Sequence, residues 1–232
     1  MRLGLILGVL AVLQSQVVCA ASYESLQRKC QQKMAENPPQ ITVEYSFGKL
    51  NIDTSKTPEE LIKIAKQFNP KAKADEHIQG LTGLKFATKL NVETLVEEID
   101  EQDVCVMPQN VNLRVFYEKP TIYLINSLKP NSCRYNLVLR HEQTHLDIGH
   151  TFLLELAGAL KQKLIKTVNE YGARAVLKNI YIQDDTAIIQ KMLKDYENSL
   201  KPIMNSYKEK LLDEQAQLDT PDNYRYETSL CQ

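Results

Sequence analysis

His141-Glu142-Gln143-Thr144-His145 sets two imidazoles four residues apart, with a carboxylate beside the first. On an α-helix each residue advances about 100°, so positions four apart lie one turn up on the same face. Two neutral imidazoles held that way can fill two corners of a tetrahedral zinc site, and H-E-x-x-H is the spacing that zinc hydrolases use. Zinc lowers the pKa of a coordinated water toward about 7, and an adjacent carboxylate can take its proton. His141 and His145 are therefore the candidate ligands, Glu142 the candidate general base and Zn2+ the expected cofactor. The chain has four histidines, and His141, His145 and His150 all lie close together here.

A catalytic zinc usually takes three protein ligands and leaves one position open. His150 is the nearest candidate for the third. It lies five residues past His145, about 140° around a regular helix, so it can ligate only if the helix breaks. Gly149 just before it would permit such a break. Glu155 is about 15 Å further along the axis, too far to share the ion. Glu170 lies in a poor context for a ligand. Asp147, about 200° around from His145, reads as a structural residue or one outside the metal's own contacts, without direct contact to either ligand, or equally as a plain solvent-facing acid.

The elements that must position these residues follow from hydrophobic period. Residues 22–35 read as a short polar helix ended by Asn37-Pro38-Pro39. Alternation at Ile41, Val43, Tyr45 and Phe47 predicts a half-buried strand. Thr57-Pro58-Glu59-Glu60 starts a helix that Asn69-Pro70 stops. His77 follows in a polar loop and reads as solvated. Strands are predicted from Leu84 to Val92, after Pro108 through Tyr117, and over Thr121 to Ile125. The period then changes. Leu137 to about Thr167 reads as one proline-free helix bearing the histidines, with Tyr171-Gly172 as its break. Spacings of three and four from Ile188 to Leu212 predict a second long helix containing Pro202. Thr220-Pro221-Asp222-Asn223 reads as a turn. The expected fold is α+β: a small antiparallel sheet followed by two long helices, zincin-like, with H-E-x-x-H on the first.

The N-terminus sets the compartment. Arg2, the apolar run Leu3 to Leu13 and Val18-Cys19-Ala20 read as a signal peptide over residues 1–20. The run is short for a membrane span, and plain export ranks ahead of lipoprotein processing at Cys19. Residues 21–40 then form a polar helix and linker, and 41–232 a single domain. Cys30, Cys105, Cys133 and Cys231 remain, an even set that suggests disulfides with three possible pairings. The net charge is −1 with no basic stripe, which argues against nucleic acid.

Three stretches together are similar to a known family. His141-Glu142-Gln143-Thr144-His145-Leu146-Asp147-Ile148 resembles the H-E-Q-x-H-x-D-I core of the predicted secreted zinc-dependent proteases of bacteria, catalogued as a domain of unknown function. Cys105 resembles a cysteine placed upstream of that core. Tyr224-Arg225-Tyr226-Glu227-Thr228 is similar to the family's C-terminal Y-D-x-x-T-x-H-G signature. The likeness runs from about Ile41 to the C-terminus. It implies an exported zinc protein. Arg225 stands where the pattern has aspartate, and Leu230 and Cys231 stand where it has histidine and glycine. If that histidine serves the metal in relatives, this chain completes its site with His150 or a carboxylate such as Glu227, or has a degenerate site.

The function expected is an exported zinc-dependent metallohydrolase acting on peptide or protein. The alternative is a non-catalytic exported binding module with a structural or degenerate zinc site. A third reading is a core helix whose histidines are satisfied by hydrogen bonds.

Overall fold

The computed structural model describes residues 23–68 and 78–231. The leader reading over residues 1–20, Cys19, the Asn69-Pro70 helix stop and His77 lie outside them. The fold is α+β, with two small sheets and long helices. One sheet has strand order β1 (Gln40–Ser46), β5 (Asp103–Tyr117), β4 (Phe86–Glu98), with β7 (Arg174–Leu177) also pairing antiparallel to β5. The other has order β2 (Asn51–Lys56), β6 (Thr121–Ile125), β3 (Gly80–Gly83). Six helices accompany them among the described residues: α1 (residues 23–36), α2 (Pro58–Phe68), α3 (Cys133–Tyr171), α4 (Lys178–Gln183), α5 (Asp185–Leu218) and α6 (Pro221–Ser229).

The expectation of a purely antiparallel sheet is corrected. β3 pairs antiparallel to β6, but β2 pairs parallel to it, Asn51 opposite Thr121 and Ile52 opposite Ile122. A parallel partner needs a crossover rather than a hairpin, and α2 follows directly on β2. β2 and β3 carry little apolar alternation: Asn51-Ile52-Asp53-Thr54-Ser55-Lys56 is polar, and Gly80-Leu81-Thr82-Gly83 is short and framed by glycines. They are the outer strands of their sheet, where a strand needs no continuous buried face.

Where local signals were strong, the elements stand as expected. Thr57 and Glu60 form a reciprocal cap on α2: the Thr57 amide donates to Glu60 Oε2 at 2.8 Å and the Glu60 amide to Thr57 Oγ1 at 3.3 Å. Val111, Leu113, Val115 and Tyr117 of β5 are all buried. The strand begins earlier than the period suggests, because residues 104–108 are buried consecutively. α3 ends at Tyr171, where the Gly172 amide donates to Val168 O at 2.8 Å. α5 continues through Pro202.

The chain divides into two compact units, each discontinuous in sequence. One comprises Leu90–Asn112, Gln162–Ser199 and the described part of Met1–Thr42. Its core joins Cys30, Met34, Cys105, Met107, Ala173 and Ala175, with the Cys30–Cys105 disulfide inside it. The Gln27 side chain tacks α1 onto β7, donating to Ala173 O at 2.6 Å and accepting from the Ala175 amide at 3.1 Å. The other unit comprises the described parts of Val43–Lys89 with Leu113–Lys161 and Leu200–Gln232. There Ile122 and Leu124 of β6 pack with Val138 of α3, and the Tyr117 hydroxyl donates to Gly149 O at 2.7 Å. This second unit holds all of His141, Glu142, His145, His150 and Glu227.

The disulfides are Cys30–Cys105 and Cys133–Cys231, one of the three pairings open to the sequence. Two disulfides fit a protein that matures outside the reducing cytosol. No helix among the described residues is long and apolar enough to cross a membrane.

Candidate metal centre

α3 is continuous from Cys133 to Tyr171, and that continuity fixes which histidines meet. His141 and His145 lie on one face and are both buried. Gly149 does not break the helix. A Cβ there would lie 2.2 Å from Leu84 Cδ1 and 3.3 Å from the Tyr117 hydroxyl, so the glycine serves close packing instead. With no break, His150 stays on another side of α3 and packs against Phe47, with ring centroids 4.1 Å apart and the rings tilted by 34°. The structure does not bring it to the pair. Glu155 faces Lys210 at 3.4 Å, and Glu170 faces Lys166 at 3.9 Å.

The residue that joins the two histidines is Asp219, which the sequence reading passed over. His141 Nε2, His145 Nε2 and Asp219 Oδ1 form a triangle whose three sides are each 3.1 Å. Asp219 lies between the end of α5 and Thr220, the N-cap of α6. The Asn223 amide donates to Thr220 Oγ1 at 3.2 Å, and Asn223 Nδ2 donates to Leu218 O at 3.0 Å, closing both helix ends around Asp219. Thr220-Pro221-Asp222-Asn223, expected as a turn, is this cap and the first turn of α6. Pro221 fits at the start of a helix because its missing N–H is one the helix would leave unpaired.

The other nitrogen of each ring is occupied. Glu227 lies 3.1–3.2 Å from His141 Nδ1 through its two carboxylate oxygens. Gln215 Oε1 meets His145 Nδ1, and its Nε2 donates to the His145 backbone carbonyl at 2.9 Å. That second bond settles which way the amide points. Acceptors on the Nδ1 side favour the tautomer with its proton there, so that in the neutral ring each Nε2 turns a lone pair toward Asp219. Glu227, the sequence alternative for third ligand, thus steadies His141 from behind. Asp147 is exposed, and neither imidazole uses it.

Two imidazole lone pairs and a carboxylate oxygen converging at 3.1 Å repel one another unless a proton or a metal cation sits among them. Within the described residues, these three form the group suited to a metal ion. A tetrahedral ion with bonds of about 2.0–2.1 Å spaces its ligand atoms by about 3.3 Å, within about 0.2 Å of this triangle. Side-chain exposure is 3 % for His141 and 6 % for His145 but 45 % for Asp219, so solvent reaches the group from the aspartate side.

The pocket's electrostatics favour positive charge. Burial works against an imidazolium at His141, but the hydrogen bond to Asp219, with the carboxylates of Glu142 and Glu227, pushes its pKa up to about 9. Partial burial works against the Asp219 anion, yet hydrogen bonds from His141, His145 and Tyr224 hold its carboxyl well below the usual range. The Tyr224 hydroxyl donates to Asp219 Oδ1 at 2.7 Å while its ring stacks on His141 with centroids 5.1 Å apart. Burial, and then the Asp219 charge, push that phenol's pKa up.

Glu142 is buried beside the triangle, under β3. Thr82 Oγ1 lies 2.9 Å from its Oε2 and 2.8 Å from its backbone carbonyl, donating to one or the other. Burial raises the Glu142 carboxyl pKa, with the two imidazoles opposing. Gly80 leaves room for it. A Cβ on Gly80 would lie 2.6 Å from Glu142 Oε1 and 2.7 Å from Val138 Cγ1. Val138 is buried and stiff, so neither neighbour can yield freely. Gly80→Ala is expected to cost about 1–3 kcal/mol, the usual range for overpacking. Denaturant unfolding measures it, and an unchanged midpoint would show that the space beside Glu142 is not confined.

No family model, no curated protein and no solved structure matches this chain.

Proposed function

We propose that this chain is an exported zinc-dependent hydrolase acting on peptide bonds, with His141, His145 and Asp219 as ligands and Glu142 as general base. The single observation that carries the reading is the triangle of donor atoms 3.1 Å apart, two of them imidazole nitrogens whose rings are held from the far side by Glu227 and Gln215. Nitrogen and carboxylate donors suit zinc. Zinc, when bound, supplies a Lewis acid for the scissile carbonyl and acidifies water toward a pKa of about 7. Glu142 accepts the proton of the attacking water and returns it to the leaving amine, so that water adds across the C–N bond. Thr82 holds that carboxylate in place. The group offers three protein donors, the number found where a coordination position stays open for substrate; closed structural sites use four. That count favours catalysis over a purely structural ion. The resemblance to the predicted secreted zinc-dependent proteases of bacteria agrees with this reading.

The direct test is metal analysis of the purified protein. About one zinc per chain is expected, together with cleavage of members of a mixed peptide library. A protein that takes up no zinc after reconstitution would overturn the assignment.

A further inference from the structure

The site's C-terminal side hangs on an exposed covalent link. α6 supplies Tyr224 to Asp219 and Glu227 to His141. Yet none of its nine residues is buried, so it gains little from apolar packing. Away from the donor cluster, Arg134 Nη1 donates to Thr228 Oγ1 at 2.9 Å, and the Cys133–Cys231 disulfide ties the helix's far end to the first residue of α3. That bond closes a separation of 98 residues, and longer loops lose more entropy when cross-linked. The two disulfides also differ in access. Cys30 and Cys105 are both 0 % exposed, whereas Cys133 is exposed and Cys231 partly so. Thiol–disulfide exchange requires a thiolate to reach a sulfur atom.

We propose that Cys133–Cys231 is a reducible latch that positions α6 and thereby sets the metal affinity of the site. A dithiol reductant attacks one sulfur as thiolate and forms a mixed disulfide, and its second thiol then resolves it. Two electrons and two protons pass to Cys133 and Cys231, and the reductant leaves as its own disulfide. With the latch open, Glu227 withdraws from His141 Nδ1 and Tyr224 from Asp219. His141 then loses the acceptor that fixes its tautomer, and the third ligand loses its hydrogen-bond donor. The inference rests on the metal-site reading above.

The test treats the oxidised protein with a limiting dose of dithiothreitol, caps free thiols with iodoacetamide, removes the reagents and titrates zinc against a chromophoric chelator. Peptide mass analysis then locates the label. The expected label is on Cys133 and Cys231 alone, with faster amide exchange in α6 and zinc affinity lower by about 10- to 100-fold, the usual cost of losing an outer partner of a ligand. Glu227→Gln with the disulfide intact should show part of that loss without the faster exchange. The paired Cys133→Ser and Cys231→Ser variant checks the same result without reductant. Labelled protein with native affinity and native α6 exchange would overturn the latch, as would equal labelling of Cys30 and Cys105. If oxidised protein takes no zinc, the metal reading has failed instead. The affinity role falls with it, and the positioning of α6 by the disulfide is then decided by exchange alone: faster exchange on reduction retains it, and unchanged exchange rejects it.

Discussion

Asp219→Ala is expected to abolish stoichiometric zinc binding. The triangle loses its only anionic corner, and two neutral imidazoles remain to face the ion. Removing an outer partner of a ligand costs about 10- to 100-fold in metal affinity, so removing a ligand should cost at least about 100-fold. Competition with a chromophoric chelator measures this directly. His150→Ala is the matched comparison, because His150 packs against Phe47, away from the triangle, and its loss should leave affinity unchanged. Glu227→Ala should fall between the two, since Glu227 contacts the far nitrogen of His141. If Asp219→Ala kept native affinity and His150→Ala lost it, the ligand set proposed here would be wrong. Asp219 also accepts from His141, His145 and Tyr224, so its loss should lower the stability of the metal-free protein, and circular dichroism checks that the variant is folded.

Glu142→Gln is expected to separate binding from chemistry. The amide matches the carboxylate in size and can still accept from Thr82, but it cannot take a proton from water. Zinc content should stay at the wild-type level while kcat falls by about 10²- to 10⁴-fold, the range a positioned general base contributes. Peptide cleavage by the two proteins, each loaded with one equivalent of zinc, reads out the difference. Native turnover by the variant would assign the proton transfer to another group. Loss of zinc together with turnover would give Glu142 a role in holding the ion.

Much of the site was legible because it is local. H-E-x-x-H needs only a helix, and residues 137–167 carry an apolar pattern without proline, so the facing pair His141 and His145 and the acid Glu142 beside them could be named as candidates. The capped start of α2, the alternating face of β5 and the span of β6 were legible for the same reason: period and caps act over a few residues. β2 and β3 were not, since a polar edge strand and a four-residue strand framed by glycines have no period to read. Yet β3 supplies both Thr82 and the glycine that makes room for Glu142.

The sequence by itself determined the face of α3 that carries the two histidines, the acid beside it and the even set of cysteines that suits an oxidising compartment. Tertiary structure decided the rest of the site. Asp219 lies 74 residues beyond His145, and Gln215 lies 70 beyond it, separations at which no spacing rule applies. His150 was excluded by packing: Leu84 and Tyr117 press on Gly149, and the helix runs through it unbroken. The choice of disulfides likewise came from the fold, which brings Cys231 to the first residue of α3. Side-chain type and short-range period are properties of the chain. Which distant carboxylate meets two imidazoles is fixed only when the whole chain packs.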